Sequence, residues 1–392
     1  MADGNRQAAT SNSRADVEVH QVADRRERKL FLRLPWRLYE SDPLWVPPLL
    51  SAVDKQLDPR RHPFFEHAEA RLYLAWRGAR PVGRVAAIVN HLHNSYHGET
   101  TGSWGFFETE PDPGVARALL DRAADDLRGC GMTEMRGPFN PSTNAECGLL
   151  VEGFDRSPAI LMPYNPPCYP EFVEQAGHRP IKELYAYVLF AEQVAADQGT
   201  RQRLERIARA VQRRHPEITV RSLAMARYEA EVAALGEVFN AARRDNWGYV
   251  PTTDAELQLM AREMKPIALP DLILIAELRG KPVGCLISLP DINPLLRKLN
   301  GRLFPCGWAR FLWGKRRIRR LRVFGAACLP EYRGLGVTAL LFDRFIRNGL
   351  RWGCPEAELS WVADDNLKSV RTLQSAFQPR LYKRYRIYGR EL

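Results

Sequence analysis

Cysteine is scarce in this chain. Seven thiols are spread over 392 residues (Cys130, Cys147, Cys168, Cys285, Cys306, Cys328, Cys354), and no two of them form a Cys-x-x-Cys pair. That excludes a disulfide framework and the common zinc-ribbon spacings, and leaves reduced, packed thiols, with a catalytic thiol as the alternative. Long apolar runs are missing too. None reaches the roughly 20 residues that a membrane-crossing helix needs. No apolar leader follows Met1, so a cytoplasmic protein is expected, with attachment to a membrane surface left open. Histidine is rare, at eight residues. Its one cluster, His91, His93 and His97, has no Cys or carboxylate close behind it. It therefore reads as a polar loop, and no metal is expected.

Hydrophobic residues make up 45% of the chain, enough for ordinary cores, and the length suggests two domains. The most informative stretch is Leu329-Pro330-Glu331-Tyr332-Arg333-Gly334-Leu335-Gly336-Val337-Thr338. It follows an apolar run, Leu321 to Leu329, that reads as a strand. It precedes residues whose apolar positions recur at helical spacing, from Ala339 to Ile346. Glycines there let the backbone approach a ligand closely. The free N–H groups of a first helical turn, with the helix dipole, suit a pyrophosphate. Further on, Glu358 to Val362 reads as the next strand, then comes Asn366-Leu367-Lys368-Ser369, and the chain ends on the tyrosine-rich stretch Leu381 to Tyr388.

In that order of elements the chain resembles the GNAT superfamily of acyl-CoA-dependent N-acyltransferases. The resemblance implies an α/β fold, each unit a mixed, largely antiparallel twisted sheet flanked by helices. It implies an acyl-CoA site on Leu329, Arg333, Gly334, Leu335, Gly336, Val337 and Thr338, with Asn366 and Ser369 beyond. Two positions depart from the family pattern. Thr338 stands where Gly or Ala is usual. Leu373 stands where many members carry the tyrosine that protonates the departing CoA thiolate.

A second copy of the pattern lies upstream. Leu72 to Gly83 parallels Leu272 to Gly284, each reading as strand, tight turn and strand. The Pro-Val-Gly triplets are offset by 201 residues (282 − 81), as are Asn165 and Asn366 (366 − 165). Gly131 and Gly353, ending comparable helices, are offset by 222 (353 − 131), so each copy carries an insertion that the other lacks. We expect a disordered tail over 1–16, a degenerate first unit over 17–195 and an acyl-CoA-binding unit over 196–392. The first copy has an acidic loop, Glu108 to Gly114, where the second has Arg-Gly-x-Gly, and that loop would repel a pyrophosphate.

The second copy's insertion is basic. Between Asp291 and Arg322 there are ten Lys or Arg and one acid, against a net charge of +11 for the whole chain. Leu295, Leu299 and Leu303 share one helical face there, and Trp308, Phe311 and Leu312 another. This pattern fits a helix on an anionic bilayer, the wall of an acyl-chain groove, or a solvated cationic face over a packed helix. No nucleic-acid fold motif accompanies the charge, so nucleic acid is not expected as a partner.

For the acceptor, Asn246, Trp247 and Tyr249 follow a helical run and can line a site, or form a turn with an aromatic anchor. Trp361, on the strand read over Glu358 to Val362, joins them. Asn140 and Asn144 can face an acceptor or cap turns. The chemistry needs a base for the amine proton and donors for the oxyanion. Asp364 or Glu358 can serve as base, Tyr382, Tyr385 or Tyr388 as acid, and N–H groups near Ala327 to Leu329 as donors.

With Asp42-Pro43-Leu44-Trp45-Val46-Pro47-Pro48, Asn246-Trp247-Gly248-Tyr249-Val250-Pro251 and Leu289-Pro290-Asp291-Ile292-Asn293, the likeness extends over nearly everything after Lys29. The chain is similar to bacterial tandem GNAT proteins, a group that includes ceramide synthases. That likeness implies transfer from long-chain acyl-CoA to the amine of a sphingoid base. A short-chain acetyltransferase, or an acyl-CoA or membrane-binding module without turnover, stays open.

Overall fold

The computed structural model describes residues 16–303, 307–315, 317–366 and 378–392. The expected tail, apart from Asp16, falls outside them, as do Ser369 and Leu373.

The first half runs β1 (Val17–Gln21), α1 (Arg25–Leu38), α2 (Leu50–Gln56), β2 (Ala68–Arg77), β3 (Arg80–Asn90), α3 (His91–His97), β4 (Thr101–Thr109), α4 (Pro113–Gly129), β5 (Glu134–Gly137), β6 (Phe139–Asn140), β7 (Glu146–Cys147), β8 (Leu149–Glu152), α5 (Tyr169–Gln175) and β9 (Arg179–Phe190). The second runs α6 (Ala191–Ala196), α7 (Gln198–Arg214), β10 (Ile218–Ser222), α8 (Tyr228–Arg243), α9 (Asp254–Met264), β11 (Ile273–Leu278), β12 (Lys281–Pro290), α10 (Asn293–Leu299), α11 (Gly307–Lys315), β13 (Arg320–Cys328), α12 (Val337–Trp352), β14 (Glu356–Ala363) and β15 (Arg380–Glu391). The repeated hairpins turn at Gly78 and Gly280, whose φ values of +58° and +81° lie in the left-handed region that a side chain disfavours.

The strands form a 13-stranded mixed sheet in the order β1-β2-β3-β4-β5-β15-β9-β14-β13-β12-β11-β10, with β8 also paired to β15; β6 and β7 form a separate ribbon. Among the described residues only β4–β5 and β13–β14 pair in parallel. The largely antiparallel α/β architecture is therefore as expected.

The centre of the sheet holds an exchange. β15 ends the chain yet pairs with β5 of the first half, Tyr388 opposite Gly137 and Glu391 opposite Glu134. β9 ends the first half yet pairs with β14 of the second, Glu356 opposite Phe190 and Leu359 opposite Tyr187. The two exchanged strands begin 201 residues apart (380 − 179), as do β3 and β12 (281 − 80). Each half thus completes the other's sheet.

Two large cores lie under the paired helices. α4 buries Leu119, Leu120 and Leu127 over Val85, Ala87 and Trp104, and α12 buries Leu341, Phe342 and Phe345 over Leu274, Leu286 and Val323. Full burial of a leucine contributes about 1.5–3 kcal/mol, so these stripes set which helix face meets the sheet.

Two expectations need correction. The histidine cluster is not a loop. It forms α3, whose N-cap Asn90 accepts the His93 N–H at 3.1 Å and whose C-cap Gly98 has φ +67°. The basic insertion is also not one outward patch, because alternation along β13 turns Arg320 and Arg322 inward, where Arg322 is 3% exposed. Among the described residues no helix is long and apolar enough to cross a membrane.

Candidate active site

β13 and β14 pair only from Arg320 opposite Glu356 to Val323 opposite Leu359, although they run on to Cys328 and Ala363. Past Val323 they part, and a gap opens toward their C-terminal ends. Leu329 donates its N–H to the Val283 carbonyl of β12 at 2.9 Å. By the alternation of an antiparallel ladder, the neighbouring Cys328 N–H points the other way, toward the gap. Of the candidate oxyanion donors, Cys328 is free to serve and Leu329 is not.

After β13 comes a short 3-10 turn, Pro330–Tyr332, and then Arg333, Gly334, Leu335 and Gly336. Gly334 and Gly336 have φ of +93° and +84°. Gly336 is the N-cap of α12, and no side chain caps that end. The N–H groups of Val337 and Thr338 therefore lack the helix partners that residues further along enjoy. A Cβ on Gly336 would lie 2.4 Å from the Val211 side chain of α7. Arg333 Nη2 donates to the Ala242 carbonyl near the end of α8, at 2.9 Å.

The matching place in the first half is closed. Asp112 caps α4 by accepting the Gly114 N–H at 2.8 Å, and Pro113 brings no N–H at all. The Asp112 carboxylate also holds Arg77 at 2.7 Å. β4 and β5 part after Ser103 opposite Arg136, but the ribbon β6–β7 fills the opening. Asn140 Oδ1 accepts the Phe106 N–H at 2.6 Å, and a Cβ on Gly105 would lie 1.7 Å from the Phe139 carbonyl oxygen. Among the described residues, the start of α4 is thus occupied beside a filled opening, whereas the start of α12 has no side-chain cap.

Below the gap lies a buried ionic cluster. Glu358 is fully buried; it accepts from Arg320 Nη2 at 3.1 Å, from Ser360 Oγ at 2.5 Å and from the Tyr382 hydroxyl. Arg320 also pairs with Glu356 at 2.7 Å and Asp291 at 3.2 Å. Burial, and then the Glu358 charge, push the Tyr382 hydroxyl far above the usual tyrosine range. Glu358 and Tyr382 are thus occupied with each other. Tyr385 and Tyr388 are fully buried, and the Tyr388 hydroxyl donates to Glu174 at 3.0 Å.

Asp364 lies at the far end of β14. Lys182 holds it at 2.8 Å, also contacts Asp365, and sits 5.8 Å from the centre of the Trp247 ring. Burial pulls the Lys182 ammonium down, but bonds to the two carboxylates more than offset it and hold it above its ordinary value. Asn366 donates its N–H to the Ala363 carbonyl at 3.0 Å.

The loop after α8 is held by the first half. Thr143 Oγ1 donates to the Gly248 carbonyl at 2.7 Å, His97 Nε2 to that of Tyr249 at 2.8 Å, and Asn144 Nδ2 to that of Val250 at 3.0 Å. Tyr249 is buried, with its ring 5.4 Å from that of Tyr96; it anchors the loop. Asn246 and Trp247 remain half-buried. Trp247 and Trp361 pack on one apolar cluster with Tyr164 and Tyr382.

Sequence reasoning missed Glu146. It lies half-buried on β7, opposite Asn140 and beside Cys147. Burial pushes its carboxyl up, while the Arg322 charge and a hydrogen bond with Asn140 pull the other way. No spacing marked it, because the charge that acts on it, Arg322, comes from the other half of the chain. Burial pushes the thiols of Cys147 and Cys285 up to about 12 and those of Cys328 and Cys354 up to about 11, which disfavours thiolate chemistry. Among the described residues no group of His, Cys, Asp and Glu could hold a metal.

The acetyltransferase (GNAT) family model matches residues 239–377. A bacterial ceramide synthase of Caulobacter vibrioides is 35% identical over 395 aligned positions, covering 97% of this chain and 99% of that protein. Protein YghO of Escherichia coli is 30% identical, covering 95% of each. Among solved structures, a tandem GNAT protein from the clavulanic acid biosynthesis pathway has a TM-score of 0.54 at 13% identity, covering 96% of this chain and 98% of that one. That last likeness concerns the fold alone.

Proposed function

The chain belongs to the acetyltransferase (GNAT) family and is a GNAT-type N-acyltransferase with an acyl-CoA co-substrate; from that premise we propose that it moves a long-chain acyl group from CoA to the amine of a sphingoid base. The observation that carries the reading is the contrast between the two helix starts. Gly336 leaves α12 uncapped beside an open gap, while Asp112 occupies the end of α4 beside a filled one. The lipid acceptor is supported by the relative named as a ceramide synthase and by the apolar cluster around Trp247 and Trp361. A membrane-partitioned acceptor implies peripheral attachment, at the inner face of the cell membrane.

In this reading residues 17–195 form a degenerate unit that shapes the acceptor side, and 196–392 form the acyl-CoA unit. The backbone of Arg333 to Thr338 holds the pyrophosphate, with Leu329 and Asn366 lining the same molecule. Trp247, Trp361 and Asn246 border the acceptor, and Tyr249 fixes their loop. The Cys328 N–H polarises the thioester carbonyl. The amine nitrogen bonds to that carbon, the carbon–sulfur bond breaks to release CoA thiolate, and the amine proton passes to Glu146 and from it to that thiolate. Glu358 and Tyr382 keep β13, β14 and β15 in register around the gap.

The test is CoA release by the purified chain, with acetyl-CoA or palmitoyl-CoA, each with and without sphinganine, and the product weighed by mass spectrometry. Sphinganine-dependent release from the long-chain donor with an N-acyl product is expected. Acetyl transfer with sphinganine inert would overturn the lipid acceptor, and binding without release would overturn catalysis.

A further inference from the structure

The basic insertion folds as α10 and α11 over the first residues of β13 and β14, at the end of those strands away from the α12 turn. Its inward arginines are neutralised: Arg320 by Asp291, Glu356 and Glu358, and Arg322 by main-chain oxygens and Ser360. Its outward cations are different. Lys298, Arg310 and Arg317 are exposed, and among the described residues no carboxylate pairs with them.

The apolar side of α11 is uncovered as well. Among the described residues, Trp308, Leu312 and Trp313 are 50%, 54% and 75% exposed, the three highest values for large apolar side chains in the molecule, and they fall within six positions. A soluble surface rarely gathers such side chains without a partner. Next to them a cavity of about 560 Å³ opens between α10, α11 and the strand starts. Leu295, Leu299 and Phe311 wall it, and Lys298, Arg310 and Arg317 border it. The carboxylates that also line it, Asp291 and Glu356, are both held by Arg320.

We propose that α10 and α11 form a docking site for an anionic phospholipid bilayer, with Trp308, Leu312 and Trp313 in the interface, the three cations on lipid phosphates, and the cavity receiving an acyl chain. Aromatic anchors beside unneutralised cations are the chemistry of a helix lying on such a surface. A cavity walled by Leu295, Leu299 and Phe311 suits a hydrocarbon chain. The proposal deepens the peripheral-attachment part of the reading above and rests on it. The place is separate from the α12 turn, so vesicle binding can be read without turnover.

The experiment is co-sedimentation of the full chain with phosphatidylcholine vesicles, with and without phosphatidylglycerol, at low and high salt. Binding only to the anionic vesicles, weakened by salt, is expected. A Lys or Arg near an anionic surface contributes about fivefold in partition, so Arg310→Gln with Arg317→Gln should lose about 25-fold. Trp308→Ala with Trp313→Ala should lose binding at both salt concentrations. All four side chains are exposed, so thermal unfolding and acyl-CoA binding should match the parent and show that the variants fold. Equal binding to both vesicle types, no binding, or variants that bind like the parent would overturn the proposal. Release from vesicles by free glycerol phosphate would reduce the place to an anion site, and preference for single-stranded RNA over vesicles would assign it to another partner. If vesicles bind while sphinganine stays inert, only the acyl-transfer reading fails; if sphinganine is acylated without vesicle binding, only the docking site fails.

Discussion

Arg322 on β13 donates through Nη1 to the main-chain oxygen of Ile160 at 2.7 Å, joining the second half to the segment between β8 and α5 of the first. The same guanidinium reaches the Leu161 oxygen at 2.9 Å and Ser360 Oγ at 2.9 Å. Arg322→Met keeps the stem but leaves these buried acceptors without donors. The expected loss is about 3 kcal/mol or more, read as a lowered denaturant midpoint. An unchanged midpoint would show that the bridge carries no stability.

Stability should also depend on pH through Asp291. Its side chain is 1% exposed, and burial holds its carboxyl at about 6 against an ordinary 3.8, with Arg320 pulling the other way. The folded chain therefore binds this proton more tightly than the unfolded chain. The contribution is fully present below about pH 4 and is lost as pH rises through about 6. It amounts to about 3 kcal/mol at most. Asp291→Asn should flatten the dependence of the unfolding midpoint between those pH values, and a variant that kept the parent's slope there would assign it to other groups.

At the α12 turn, the two glycines separate strain from space. A Cβ on Gly334 would meet nothing within 4 Å, so Gly334→Ala adds only the strain of a positive φ, about 1 kcal/mol. A few-fold rise in KM for acyl-CoA is expected, with kcat little changed. Gly336→Ala adds a contact at 2.4 Å with Val211, and should raise KM further and lower the melting temperature. If neither variant altered acyl-CoA binding, this turn would not hold the pyrophosphate.

Glu146 gives a pH signature. A base acts when deprotonated, so a carboxyl pushed up by burial should set an acid limb of kcat/KM above the ordinary carboxylate range. Glu146→Gln should lower kcat by about 100-fold and abolish that limb, with acyl-CoA KM unchanged. A purely structural role would lower the amplitude and leave the limb in place.

The α12 turn was legible because its signal is local: an apolar strand, glycines at the required spacing, then helical periodicity. The hairpins were legible for the same reason, and the 201-residue offset reappears in β3 with β12 and β9 with β15. Arg320 and Arg322 misled because charge counts do not know strand direction. Only the parallel pairing with Glu356 and Glu358 shows why they turn inward. The α3 helix was hidden by three histidines, although Asn90 and Gly98 were usable cap signals. Glu146 gave no signal, because the charge that tunes it comes from Arg322 across the halves.

The strand exchange was likewise invisible, since β9 and β15 carry the same kind of alternating pattern and either could complete either sheet. It has a consequence for dissection. Alone, residues 196–392 would expose the edge of β14 that pairs with β9, and would leave β15 without both of its neighbours. Unpaired edges of this length invite aggregation. Fragment 196–392 is expected to be insoluble or to melt without cooperativity, although it carries the whole α12 turn. Co-expressed with fragment 17–195, it should form a complex that co-elutes and binds acyl-CoA. A monomeric 196–392 fragment with a cooperative melt and parent-like acyl-CoA affinity would show that the exchanged strands are dispensable to the site.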